Sequence, residues 1–201
     1  IKSLGKLNKT MKEENSEKNI VVFFWVPANV RNIKQQVLEN RTLYNDIKDS
    51  VDDEMDEIRK NLITTIVSNK RLSKETLFHK EFLTEVKNKV NKLKKTGLPP
   101  VATHDLYDSN DAILKLMAEN NLNNERGDKV RVIFYPIYLS GADSLLDLNY
   151  YESIIGSHMG IFPSYYEPWG YTPMESGALG IVSVTTDLSG CGVRGKNGST
   201  L

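Results

Sequence analysis

The 201-residue chain carries 26 basic and 26 acidic side chains and no formal net charge, so electrostatics gives no reason to propose nucleic acid or an anionic membrane as partner. Its one cysteine, Cys191, excludes an internal disulfide framework and suits a reducing compartment, and no run approaches the roughly 18 apolar residues of a bilayer-spanning helix. The length suits one domain with a sizeable core, and the opening IKSLGKLNKT, without an apolar h-region or an initiator Met, reads as the middle of a longer protein.

Ile1 to Lys12 reads as the end of a helix, with Ile1, Leu4 and Leu7 in step. Ile20 to Val26 is an unbroken β-branched and aromatic run, which predicts a strand buried on both faces and closed by Pro27. Tyr44, Ile47, Val51, Met55, Ile58, Leu62 and Ile66 recur every three or four residues, predicting one apolar stripe along a helix of about six turns. A second helix carries Phe78, Phe82, Val86, Val90 and Leu93, and ends in Lys87, Lys89, Lys92, Lys94 and Lys95 before Gly97 and Pro99-Pro100. Those lysines read as a solvated face at the favourable end of the helix dipole. After Pro100, strand and helix alternate. VATHDL is a strand, Asp111 to Glu119 a helix opened by Ser109 or Asn110, VRVIFYPIYL a strand, Tyr150 to His158 a helix, and GIFPSYY a strand. This alternation predicts an α/β chain with a parallel sheet and one long helical interruption.

The segment Ser164-Tyr-Tyr-Glu-Pro-Trp-Gly-Tyr-Thr-Pro-Met-Glu175 carries the chemistry. A buried strand enters it; SGALG, a short helix ending at Gly180, and the buried strand IVSVTT follow. Thr172 is a good N-cap, Pro173 suits the first helical position, and Glu175 stands three after the cap, which together predict a capping box. The amides of Gly170, Tyr171 and Thr172 then lie at the positive end of the helix, where a diphosphate is a natural guest, and Gly170 permits close approach. Glu167 sits at the carboxyl end of a strand, where ligands of open α/β sheets bind. Spacing leaves Glu175 open as either a reciprocal cap or a ligand residue, Glu167 as either a site carboxylate or a solvated one, and Trp169 as a site or packing residue. His79, His104 and His158 are scattered and form no metal-ligand pair; His158 reads as a structural helix-end residue. Asn197-Gly198-Ser199 matches a glycosylation acceptor, a triplet common by chance.

The stretch HMGIFPSYYEPWGYTPMESGALGIVSVTTDLSG closely resembles the signature of glycogen synthases of the animal and fungal type, a version of the E-x7-E motif of retaining glycosyltransferases with two Rossmann-like domains, the GT-B fold. VPANVRN, PPVATHDLYDSNDAIL, DKVRVIFYPIYL and LNYYESIIGSHMG agree in the same order, and the resemblance is weakest between about residues 35 and 95 and after Gly192. It implies a partial C-terminal Rossmann-like nucleotide-sugar domain over 1–201, with 35–97 as a helical insertion that supports a homotetramer. The implied reaction moves glucose from UDP-glucose to the non-reducing 4-hydroxyl of an α-1,4-glucan with retention, without metal or cofactor, in the cytoplasm, with a glycogenin-like primer as a further partner.

Residue by residue, Glu167 matches the first motif glutamate, at the glucose end. Trp169, Gly170 and Tyr171 match the loop whose amides face sugar and phosphates, and Thr172 the residue near the diphosphate. Glu175 matches the glutamate that binds the ribose hydroxyls. Tyr150 matches an aromatic that packs on uracil; without the resemblance it reads as a half-exposed helix tyrosine. The family's donor-phosphate Arg and Lys and its acceptor domain belong before residue 1, and its glucose 6-phosphate helix beyond residue 201, so this fragment is expected to be inactive alone. SGALG stands for the more usual CTVMG, GCG for GFG, and Ile155 where relatives often carry Arg. Two other classes fit parts of the pattern: a different retaining GT-B enzyme of sucrose or trehalose-phosphate type, and a non-catalytic assembly module built on the helical pair.

Overall fold

The computed structural model describes residues 1–196, so the Asn197-Gly198-Ser199 triplet lies outside the described residues. The chain is α/β and divides into two compact units, Ile1–Tyr138 and a second that begins at Leu139.

The first unit is built on a parallel pair, β1 (Ile20–Trp25) and β4 (Val130–Tyr135), in register from Ile20↔Val130 to Trp25↔Tyr135. Ala102 adds a parallel bridge to Phe134. Helices α1 (Lys2–Glu13) and α5 (Ala112–Glu119) cover this sheet. The core consists of Met11, Ala102, Met117, Leu122, Val130, Val132 and Phe134, with Ile20, Val22 and Phe24 packed against it. Strand β4 is the buried one. The expectation that β1 is buried on both faces is corrected: Val21 and Phe23 are exposed, and only the alternate residues reach the core. Asp111, not Ser109 or Asn110, caps α5, its carboxylate accepting from the Ile113 and Leu114 amides at 2.9 and 3.0 Å.

Polar residues bolt this unit together. Asn8 Oδ1 accepts from the amides of Lys129 and Val130 (2.9 and 3.0 Å), and its Nδ2 donates to Asp128 Oδ1 at 2.9 Å. Lys12 Nζ reaches the same oxygen at 2.7 Å, and the Glu125 amide donates to Asp128 Oδ2 at 2.7 Å. Asn124 is clamped to Val132 through both its amide oxygen and nitrogen, each at 2.8 Å.

An antiparallel pair departs from the expected all-parallel alternation. Strand β2 (Val30–Ile33) pairs with β3 (His104–Leu106). Between them the chain runs out and back through α2 (Gln35–Val67), a single turn α3 (Lys74–Leu77) and α4 (Lys80–Lys95). Segments that leave and return at the same place lie antiparallel, and Gln36 fastens this base by donating to the Thr96 and Leu98 carbonyls at 2.9 and 3.1 Å. At 33 residues, α2 is longer than its stripe predicts, about 50 Å. It packs along α4, but the stripe is only partly covered: Ile47, Val51 and Ile58 are half-buried, whereas Tyr44, Met55, Leu62 and Ile66 are exposed. Within the lysine face of α4, Lys89 bonds Glu85 at 2.7 Å and Ser50 at 2.6 Å.

The second unit contains α6 (Tyr150–Ile155), β5 (Met159–Phe162), α7 (Tyr171–Ala178), β6 (Val182–Thr185) and α8 (Gly190–Lys196). Helix α6 ends three residues short of the predicted His158, which is exposed rather than a cap or core residue. Strands β5 and β6 are parallel and in register from Met159↔Val182 to Phe162↔Thr185. Helix α7 packs on both, closing in a Schellman turn where the Ile181 amide donates to Ser176 O and the Gly180 amide to Gly177 O. Met159, Ile161, Val182 and Val184 are exposed, so the expectation of buried strands holds for one face of each only.

Candidate functional site

The turn between β5 and α7 is held by its neighbour, the turn between β6 and α8. Thr186 Oγ1 donates to Ser164 O at 2.6 Å, Glu167 pairs with Ser189 in a parallel bridge, the Gly190 amide donates to Glu167 O, and the Cys191 amide donates to Trp169 O at 2.7 Å. A Cβ at Gly190 would run into the Pro168 carbonyl, so only glycine allows the two turns this close. Arg194 lies over the Trp169 ring, 5.8 Å from its centroid.

This clamp resets the start of α7. The N-cap is Gly170, at φ 88° and ψ 81°, and the predicted capping box is corrected: Thr172 is the second helical residue, Pro173 the third and Glu175 the fifth, with no side-chain cap. The first turn holds no acidic residue, and Pro173 there has no amide hydrogen to place. The amides of Tyr171 and Thr172 therefore sit at the positive end of α7 without a carboxylate of the helix itself to neutralise them. A Cβ at Gly170 would lie 3.1 Å from Glu167 Oε2. That approach sets the half-buried Glu167 carboxylate directly against the backbone of the N-cap.

Glu175, released from capping, accepts a 2.8 Å hydrogen bond from the Tyr150 hydroxyl. Burial, then the Glu175 bond and charge, hold the Tyr150 phenol well above its ordinary value of 10.0, while Thr172 beside it pulls the other way. The phenol is thus a donor throughout the neutral range. Asn149 and Glu152 form a capping box that sequence reading missed, with the Glu152 amide donating to Asn149 Oδ1 at 3.0 Å and the Asn149 amide to Glu152 Oε2 at 2.8 Å. The spacing Asn149-Tyr-Tyr-Glu152 carries that signal. It fixes Tyr150 as the first residue of α6.

Of the residues singled out from sequence, Tyr150, Thr172 and Glu175 meet in one hydrogen-bonded group, and Glu167 meets Gly170 at the helix start. Trp169 is half-buried under Arg194, and Tyr171 points outward, 70% exposed. A separate open cavity of about 540 Å³ lies between α2 and α4, lined by Asp46, Asp49, Asp53, Glu54 and Glu85. Its charge is wrong for a phosphorylated ligand, which favours the α7 site for anions. Among the described residues no cluster of His, Cys, Asp or Glu is arranged to hold a metal ion, and no helix is long and apolar enough to cross a membrane.

Comparison with known proteins agrees with the motif. The chain is 37% identical over 193 residues to the liver glycogen (starch) synthase of Mus musculus, covering 96% of this chain and 27% of that protein. It is 35% identical over 189 residues to the glycogen (starch) synthase of Dictyostelium discoideum (94% and 22%), and 34% identical over 203 residues to isoform 1 from Saccharomyces cerevisiae (96% and 29%). The chain thus spans about a quarter of the length of these relatives. The family model described as glycogen synthase matches residues 1–197, so nearly the whole sequence is accounted for, and the chain belongs to the glycogen synthase family.

Proposed function

We propose that this chain is part of a retaining glycosyltransferase that moves glucose from UDP-glucose to the non-reducing 4-hydroxyl of an α-1,4-glucan. The observation that carries the reading is the start of α7: an N-terminus with no side-chain cap and no acid in its first turn, flanked by Glu167 and by Glu175. During transfer, negative charge grows on the departing diphosphate and positive charge on the sugar. Fixed amides of Gly170, Tyr171 and Thr172 meet the first, and the Glu167 carboxylate, beside them, meets the second and orients the sugar. Trp169 shapes the same turn. Glu175 accepts from the ribose hydroxyls and Tyr150 lies against the uracil ring. No cofactor or metal enters beyond the donor substrate itself.

In this reading the chain is a partial C-terminal domain of a GT-B fold, which needs an acceptor domain to close the cleft, and the fragment alone does not elongate glycogen. Residues 35–97 are a helical insertion supporting a homo-oligomer, a tetramer in the resembling enzymes; the exposed Tyr44, Met55, Leu62 and Ile66 on α2 favour that use. A cytoplasmic setting, with glycogen and a glycogenin-like primer as partners, follows from the same reading.

The test is calorimetric binding of UDP and UDP-glucose to the full-length protein, followed by glucose transfer to glycogen. Glu167→Ala is expected to lower transfer by about 10²–10³-fold with UDP still bound. Glu175→Ala is expected to weaken UDP by about tenfold. If neither change matters, the motif is only a helix start in a scaffold and the transferase reading falls.

A further inference from the structure

We infer that the Tyr150 hydroxyl is a positioning group for Glu175, holding its carboxylate in the orientation that receives the two ribose hydroxyls of the donor nucleotide. The inference rests on the proposed ribose role of Glu175 and adds a function for a hydroxyl that stacking on a base does not require.

The geometry is specific. Glu175 stands on the fifth residue of α7, beyond the turn that a capping role would need, and its Oε2 accepts from Tyr150 at 2.8 Å. Each carboxylate oxygen has two lone-pair sites. One bond from a phenol therefore leaves Oε2 one site and Oε1 both, enough for a vicinal diol to donate to the two oxygens side by side. A glutamate on a helix surface otherwise has three torsions to order, and ordering them on binding weakens affinity. Tyr150 is a good anchor because its own backbone is fixed by the Asn149–Glu152 capping box, while Ser153 and Ile154 of the same helix are buried. Its ring is braced edge-on by Tyr151, at 5.1 Å and 67°. The phenol stays protonated through the neutral range because burial, the Glu175 bond and the Glu175 charge all oppose its ionisation.

The experiment is Tyr150→Phe in the full-length protein, which keeps the ring and removes only the hydroxyl, read with UDP and with 2′,3′-dideoxy-UDP. For UDP, Kd is expected to rise about fivefold, and for the dideoxy nucleotide by less than about twofold, since that ligand has no diol to receive. In transfer assays the KM for UDP-glucose rises while kcat stays within about twofold. Added to Glu175→Ala, Tyr150→Phe should produce no further loss of UDP affinity. Comparing two ligands on one variant cancels any change in folded fraction. Equal losses for both nucleotides, or additive losses in the double variant, overturn the inference while leaving the ribose role of Glu175 intact. If Glu175→Ala binds UDP as tightly as wild type, the ribose role fails and this inference goes with it.

Discussion

Two groups of polar residues, one in each unit, use the same chemistry to opposite ends. In the first unit Asn8, Asn124 and Asp128 are buried, and their side chains are taken up by the fold: strand amides, a strand carbonyl, a lysine and a turn amide occupy them. In the second unit Glu167 is half-buried against a helix start, its carboxylate accepts no hydrogen bond among the described residues, and Glu175 has one oxygen engaged and one open. Buried polar groups that are fully partnered specify structure. Those left with capacity beside an uncapped helix end are the ones the proposed function assigns to a ligand. Polarity alone would not have separated the two groups; burial and the count of filled hydrogen-bonding sites do.

Removing the first group should damage folding and nothing else. Asp128→Ala leaves the Asn8 amide and the Glu125 amide without an acceptor and Lys12 without its partner, and is expected to cost about 3 kcal/mol. Denaturant unfolding measures this, while UDP binding per folded molecule should be unchanged. A loss of affinity larger than the loss of folded protein would break the division drawn above. The same carboxylate sets a pH dependence. Burial pushes its pKa up, but the Lys12 and Asn8 bonds, the Glu125 amide and the Lys12 charge outweigh this and leave it below 3.8. A depressed folded value means the stabilisation is complete above about pH 3.8 and is lost as pH falls through the folded value. Acid titration of the wild type should show that loss, and Asp128→Ala should flatten it.

Gly170→Ala sharpens the comparison from the other side. An alanine at φ 88° is strained, and its Cβ would press on Glu167 Oε2. The expected cost in stability is about 1–2 kcal/mol, smaller than that of Asp128→Ala, yet transfer should fall further, because the displaced group is the Glu167 carboxylate itself. Thermal melts beside glycogen elongation by the full-length protein check the two effects separately. A loss of transfer no greater than the loss of folded protein would count against Glu167 as a working residue.

Much of this was legible in the sequence, and the misses have physical causes. Strands β1, β4, β5 and β6 followed from their apolar runs, but which faces are covered did not, because Val21 or Ile161 reads the same whether a helix lies over it or not. Strand β2 was invisible: Val30-Arg-Asn-Ile33 has no alternation of its own, and its pairing with β3 exists only because a long helical segment returns to its origin. The Thr172 cap was a sound local reading overruled by tertiary contacts, since the Trp169 carbonyl is held by the Cys191 amide and the helix must start one residue after Gly170. The family of the chain was plain from one segment; that Glu175 bonds Tyr150 required the structure, because the two residues lie on different helices.

The smallest expected effect lies at the base of the helical pair. Gln36 is half-buried and bonds two carbonyls of the chain returning from α4, Thr96 O at 2.9 Å and Leu98 O at 3.1 Å. It is a partnered amide, like Asn124, but the Leu98 bond is exposed to solvent, so water can replace part of what it supplies. Gln36→Ala should therefore cost only about 1 kcal/mol, against the larger loss at buried Asp128. Hydrogen exchange gives the sharper reading. The Lys34 amide, bonded to Thr103 O beside the same base, should exchange faster, while the amides of Val130 and Val132 in β4 stay protected because buried Asn8 and Asn124 accept from them. Faster exchange throughout β4 would mean that the helical pair and the sheet open as one cooperative unit, and that Gln36 belongs with the residues that specify the fold.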